Sequence, residues 1–324
     1  MMRAAIALIV LLALIGAAEA QTCGATITSP IQFGGAGGAD VLSGAQIDTT
    51  ATLTVTCSGL LGLMQVCVSI DAGSGGANGS TARFMQRQGG GGTASYQLYQ
   101  DAARSQPWGS LVNPALGSVP GIGIVAVILG STSATQTIYA RLPGGQQTLP
   151  TGTYSSTLNT QIKYGAISAL TGCDSPLLTR NSTGPTFQVQ TTVTKNCLLS
   201  VAQDVNFGTR GALTTAVDAA GRLSVTCTST TPLTISLGQG NGAGANANVA
   251  NARKMTGPGG ATVTYGLFQD AARTVPWGDN QGVTTEAAIG TGLATNVPVY
   301  GRVPAQTTPG PGTYSDTVVV TVTY

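Results

Sequence analysis

Residues 312–324 read GTYSDTVVVTVTY, and the side-chain period of this stretch sets the fold class. Val318, Val320, Val322 and Tyr324 fall on one face of an extended chain, while Thr317, Thr321 and Thr323 share the other with Val319. A period of two in β-branched residues marks a half-buried strand. The stretch has an earlier counterpart, GTYSSTLNTQIKY at residues 152–164, and the match extends outward from it. YQLYQDAARSQPWG (96–109) corresponds to YGLFQDAARTVPWG (265–278), TLTVTC (52–57) to RLSVTC (222–227), and Ala140-Arg141-Leu142-Pro143 to Gly301-Arg302-Val303-Pro304. The chain is two copies of one domain, each of about 140 residues and able to bury its own core. Both copies are rich in Thr, Val, Ile and Tyr, broken by Gly, Pro and Asn, and lack long amphipathic helical windows. The expectation is all-β, with a β-sandwich in each copy.

Composition removes several function classes. Charged residues make up 8% of the 324, with a formal net charge of +2 and no His. Nucleic acid requires clustered Lys and Arg to displace counterions, and the chain has no such cluster, so no nucleic-acid partner is expected. Without His there is no Ser-His-Asp triad, and the ten Asp are scattered. Asp101 and Asp270 recur at matched positions in separate copies, which does not make a catalytic pair. No two cysteines stand at Cys-x-x-Cys spacing. No catalytic residue, metal site or cofactor is predicted.

The first twenty residues, MMRAAIALIVLLALIGAAEA, carry one Arg, an apolar run from Ala4 to Ile15 and Ala18-Glu19-Ala20 as a small-x-small cleavage site. This reads as a secretory signal peptide (1–20), with a mature chain from Gln21. Export suits the six cysteines, Cys23, Cys57, Cys67, Cys173, Cys197 and Cys227. Fifteen pairings are possible. The repeat makes Cys23 with Cys57 and Cys197 with Cys227 the symmetric solution, and each such bridge adds about 3 to 4 kcal/mol in the chain-entropy model. Cys67 and Cys173 lack counterparts and are most simply bonded to each other.

The opening cysteine pair, the Tyr-x-Leu-x-Gln-Asp-Ala-Ala-Arg and Pro-Trp-Gly block, and the terminal Gly-Thr-Tyr-Ser strand together resemble the spore coat protein U (SCPU) domain family. The family includes subunits of archaic chaperone-usher pili of the Csu type. The resemblance implies two tandem immunoglobulin-like, pilin-type β-sandwich domains, at 21–165 and 196–324. The C-terminal one is implied to be incomplete and to need a donor strand in the groove where a strand is missing. It also implies the partners: a periplasmic pilus chaperone, an outer-membrane usher, the next pilin subunit through its donor strand, and an abiotic or host surface. A missing strand leaves unpaired backbone groups beside exposed core, which invites strand addition.

The linker at 166–195 contains a candidate donor strand, residues 186–195, with Phe187, Val189, Thr191 and Val193 on one face. It is expected to complete the first domain's own groove; the alternative is that it forms the second domain's first strand. Nothing similar is seen ahead of Cys23, where cleavage would leave Gln21 and Thr22. A subunit that accepts a strand and offers none belongs at a fibre end, as the resemblance to two-domain tip adhesins implies. The function expected is therefore attachment at the tip of a surface fimbrium reached through the periplasm. A structural spore-coat or secreted matrix protein and a lectin-type fimbrial tip are the alternatives.

Contact specificity is expected where the first copy departs from the second. Leu60, Leu61, Leu63 and Met64 replace a polar turn, Leu111, Val112, Leu116 and Val119 lie in a longer loop after Trp108, and Leu149 lies in LPGGQQTLPTG. The loops at 109–119 and 142–151 are expected to share the pole farthest from the second domain. Apolar loops there would form a tip that binds surfaces by burial, at about 25 cal/mol per Å².

Overall fold

The computed structural model describes residues 22–59, 62–126, 130–167 and 171–324; the expected leader at 1–20 and Leu60 and Leu61 lie outside them. The chain divides into two compact units. The first takes the residues up to Ala36, Gln46–Pro143 and Thr153–Thr191, and the second takes Gly37–Ala45, Gly144–Gly152 and Thr192–Tyr324.

The strands of the first unit are β1 (Thr22–Ile27), β2 (Ile31–Phe33), β3 (Ile47–Ser58), β4 (Gly62–Ile70), β5 (Ala77–Asn78), β6 (Ala82–Arg87), β7 (Thr93–Tyr99), β8 (Gly121–Ala126), β9 (Ser131–Leu142), β10 (Gly152–Leu158), β11 (Thr160–Ala166), β12 (Arg180–Thr183) and β13 (Phe187–Val193). One sheet runs β1-β3-β9-β7-β6-β10-β13-β2, with β5 on β6, and the other runs β12-β11-β4-β8. Those of the second unit are β14 (Cys197–Gln203), β15 (Val217–Cys227), β16 (Pro232–Leu237), β17 (Arg253–Thr256), β18 (Thr262–Phe268), β19 (Glu286–Ile289), β20 (Thr295–Val303) and β21 (Val320–Thr323). They form the sheets β14-β15-β20-β18-β17 and β19-β16-β21. Each unit is an immunoglobulin-like sandwich of two sheets.

Alternation builds the strands. In β3, Ala51, Leu53, Val55 and Cys57 are buried while the Thr residues between them face outward, and Leu223, Val225 and Cys227 repeat this in β15. The sulfurs are bonded as Cys23–Cys57, Cys197–Cys227 and Cys67–Cys173, the pairs favoured by the repeat. The first two link an edge strand to its neighbour, at Cys23↔Cys57 and Cys197↔Cys227 in the register.

The repeated block ties sheet to sheet in both units. Trp108 and Trp277 are fully buried, and each spans the sandwich: Trp108 N–H donates to Leu98 in β7 (2.8 Å) and its indole Nε1–H to Val68 in β4 (2.8 Å). Trp277 does the same with Leu267 (2.8 Å) and Ile235 (3.0 Å). Behind each Trp lies a buried arginine that has no carboxylate in an ion pair with it among the described residues. Arg83 donates to the carbonyls of Asp71 (2.9 Å), Ile70 (3.2 Å) and Trp108 (2.7 Å), and to the Gln97 side chain. Arg253 donates to Gly238 (3.0 Å), Leu237 (2.8 Å) and Trp277 (2.7 Å). The Asp-Ala-Ala-Arg segment is a turn: the Asp101 carboxylate accepts the N–H groups of Ser105 (3.1 Å) and Gln106 (2.8 Å), and those donors hold it below the usual carboxylate range. Arg104 then reaches Asp48 (3.4 Å), which also pairs with Arg141 (2.8 Å). The hydrogen bond from Arg141 depresses the Asp48 carboxyl, so this contribution is present at neutral pH and is lost only as pH falls through the lowered value. Arg273, Asp218 and Arg302 repeat the cluster.

Replacing Arg83 by Met takes the guanidinium donor from three backbone carbonyls, and should lower the first unit's stability by about 3 kcal/mol. Calorimetry of the full chain should show the first unit melting earlier with the second unaltered; Arg253→Met should reverse the pattern.

Candidate functional site

The two units treat the same edge differently. In the first, β13 lies between β10 and β2 and runs parallel to β2, with Val189 opposite Ile31, Gln190 opposite Gln32 and Thr191 opposite Phe33. Phe187, Val189, Thr191 and Val193 all point inward and are buried, and the Thr191 hydroxyl donates to the Phe33 carbonyl at 3.3 Å. Burial of the three apolar side chains contributes roughly 5 to 9 kcal/mol, an upper figure because the unfolded chain already covers part of them.

Val205-Asn206-Phe207-Gly208 follows Cys197 at the spacing by which Ile31-Gln32-Phe33-Gly34 follows Cys23. Here no strand forms: Val205 and Phe207 are half-buried, where Ile31 and Phe33 are 1% and 0% exposed. Across from them, residues 312–318 match β10 but make a single bridge, Ser315 to Thr256. Between the two segments lies a groove of about 1160 Å³, lined by Val205, Phe207, Val263, Tyr265, Tyr314 and Val318 among others. Phe207 meets the Tyr265 ring edge-on at 6.2 Å, and Phe33 and Tyr96 form the matching pair at 6.3 Å. Two extended segments with apolar side chains on either side of an open groove can take an added strand between them.

One side chain changes the groove's chemistry. Asp316 stands where the first unit has Ser156, and its carboxylate accepts from the Tyr265 hydroxyl (2.7 Å) and from the Asn241 N–H (2.7 Å). Burial, the hydrogen bond and the Asp316 charge all push the Tyr265 hydroxyl well above its ordinary range, so it stays a donor. In the first unit burial alone is the main cause that pushes Tyr96 up to about 12. Among the described residues no group of three or more His, Cys, Asp or Glu is placed to hold a metal ion.

The apolar loop residues are only partly at the surface. Met64 is 1% exposed on β4, Leu116 is wholly buried and Leu149 is 7% exposed, so these three are core and cannot meet a surface. Leu149 lies in Gly144–Gly152, which groups with the second unit, where Thr151 N–H donates to Ser229 (3.1 Å). That corrects its assignment to a pole remote from the second copy: the loop is held by backbone hydrogen bonding there. Leu63, Leu111 and Val119 are partly buried around one small cluster formed by Cys67, Cys173, Ile167 and Leu178. Val112, 65% exposed, follows Leu111 directly, and Leu177, 53% exposed, precedes Leu178. Sequence comparison of the copies missed Leu177 because it lies outside the repeat; its nearness to Cys173 was the available signal. The Val205–Phe207 edge was also missed, although its spacing from Cys197 marks it.

A family model described as Spore Coat Protein U domain matches residues 9–161 and again 183–321. Protein U of Myxococcus xanthus is 33% identical over 128 residues, covering 37% of this chain and 71% of that protein. Two solved structures are partly similar. One is the CsuC-CsuE chaperone-tip adhesion subunit pre-assembly complex of archaic Csu pili from Acinetobacter baumannii, at 18% identity and TM-score 0.46, covering 83% of this chain and 89% of that one. The other is the CupB6 tip adhesin of Pseudomonas aeruginosa, at 11% identity and TM-score 0.41, covering 92% and 94%.

Placing a carboxylate in the β13 position of the first sandwich should open it. Phe187→Asp or Val189→Asp buries an unpaired charge, and each should lower the first unit's melting temperature by about 10 °C or more, with the second unit unaltered. Unchanged melting of the first unit would show that β13 does not hold it together.

Proposed function

The chain belongs to the Spore Coat Protein U domain family, and on that premise we propose that it is a tip adhesin subunit of an archaic chaperone-usher pilus. The observation that carries this reading is the contrast between the two edges: β13 occupies the first sandwich, and an open groove runs along the second. The first unit has no room for a partner's strand at that edge; the second does. Within one chain, the segment ahead of Cys197 is therefore the donor strand of the first domain, through Phe187, Val189, Thr191 and Val193. The second groove takes a strand of a periplasmic pilus chaperone first, is handed over at an outer-membrane usher, and then takes the donor strand of the next pilin subunit. Such a subunit is exported through the periplasm and ends at the cell surface, at the end of a fibre.

The attachment surface is the first unit's patch around the Cys67–Cys173 bridge. Leu63, Leu111, Val112 and Val119, joined by Leu177, present apolar side chains there on a disulfide-anchored base. Residues so arranged bind by displacing water from an abiotic or host surface rather than by a polar pocket. A coat or matrix role is the second reading, favoured by the identity to Protein U. It shares the open groove and differs in where the assembled chains lie.

Changing Leu111, Val112, Val119 and Leu177 together to Ser or Thr should abolish adhesion of piliated cells to plastic while fibre number stays at the wild-type level. Undiminished adhesion would reject the patch. Immunogold labelling of the second unit should place one label at the fibre end; labels along its length or over a coat would favour the second reading.

A further inference from the structure

We propose that the partner segment accepted by the second unit is a two-strand arm, which pairs with the free edge of β21 before it crosses into the groove. This rests on the reading of the groove as a donor-strand site and adds a second contact to it. The basis is what surrounds β13 in the first unit. The chain does not enter that sandwich as a single strand: β12 first adds antiparallel to β11, with Ser182 opposite Ile162 and Arg180 opposite Tyr164. A three-residue turn, Gly184-Pro185-Thr186, then carries it over the edge into the other sheet. The turn is pinned at each residue. Gly184 N–H donates to the Thr160 carbonyl (3.0 Å), the Pro185 carbonyl accepts from the Thr160 hydroxyl (2.7 Å), and the Thr186 hydroxyl donates to Asn159 (3.1 Å). A side chain at Gly184 would meet the Thr160 hydroxyl at 2.2 Å, so the crossing requires glycine. Ser182 also donates to the Cys23 carbonyl at 3.0 Å, closing β12 against β1.

In the second unit β21 matches β11, β14 matches β1, and β21 stands at the edge of its sheet. Ile162, buried under β12, corresponds to the half-buried Val322, and Thr160, also buried, to the half-buried Val320. Exposed apolar side chains occur just ahead of β21, at Val319 (68% exposed), and on β14, at Leu198, Leu199 and Val201. An edge with unpaired amides and apolar side chains near it is a template for strand addition. The direction of β12 and β13 fixes the source of the arm. It runs from the β21 edge to the groove and on into a folded domain, as β13 runs on to β14, so it is the segment ahead of a domain in another subunit. Its chemistry follows from the substitution of Asn159 by Val319. The arm has a glycine at the crossing and an apolar residue where this chain has Thr186.

The test uses the full chain with synthetic peptides of its own sequence, read by affinity and by hydrogen exchange in the second unit. The probes are residues 186–195, residues 180–195, the longer peptide with Pro at both Asn181 and Ser182, and the longer peptide with Thr186→Val. The longer peptide should bind at least tenfold more tightly than the shorter and should slow exchange in β21 as well as at 205–207. The two prolines should return it to the affinity of the shorter peptide, because one of two consecutive amides faces the β21 edge. The Thr186→Val peptide should bind more tightly still. Equal binding by the long and short peptides would overturn the two-strand arm and leave the groove reading standing. Binding by neither would overturn both.

Discussion

A sandwich that is one strand short exposes a row of backbone N–H and C=O groups beside its own core, and the rest of this molecule follows from how that edge is dealt with. In the first unit the chain supplies the strand itself: β13 buries four inward side chains and pairs with Ile31–Phe33. In the second unit the matching residues, Val205–Phe207, face a groove of about 1160 Å³. Matching positions thus form a strand in one copy and an irregular segment in the other, and the residues matching β10 likewise lose their strand. Asn206 and Asp316 favour a strand less than Gln32 and Ser156 do, but the alternation of apolar side chains is kept at both places; the larger difference is the neighbour.

The parts that do not depend on that neighbour are duplicated faithfully. Each Trp bridges the two sheets, each buried Arg binds backbone carbonyls at the Trp and at the facing strand, and each Asp-Ala-Ala-Arg turn docks its Arg on an Asp-Arg pair. These contacts join strands to each other and not to the missing neighbour, which lets the second unit keep its sheets while one edge remains open. A buried guanidinium held by carbonyls alone is costly to desolvate, and burial lowers its proton affinity in both units. It persists because its geometry satisfies several acceptors that would otherwise be orphaned.

Much of this was legible in the sequence, for physical reasons. The repeat, the strand alternation and the cysteine pairs are local or covalent, so the all-β class and the three bridges could be read from spacing. The burial of Phe187, Val189, Thr191 and Val193 followed from period-two alternation ahead of Cys197. The loop residues were less readable, because apolar character says nothing about which side of a sheet covers it. Met64 and Leu116 turned out to be core, and Leu149 is held in the second unit, whereas Leu63, Leu111 and Val119 gather around Cys67–Cys173. That cluster depends on a segment outside the repeat, which alignment of the two copies could not supply. The β21 edge is likewise not marked in the sequence, because β12, which covers its counterpart β11, lies outside the repeat.

One fold occurs twice in the chain, with the same edge closed in one copy and open in the other. Amide hydrogen exchange on the purified chain measures it directly at two matched triplets. Exchange should be slow at Ile31–Phe33 and near the unprotected rate at Val205–Phe207. Comparable protection at the two triplets would contradict it.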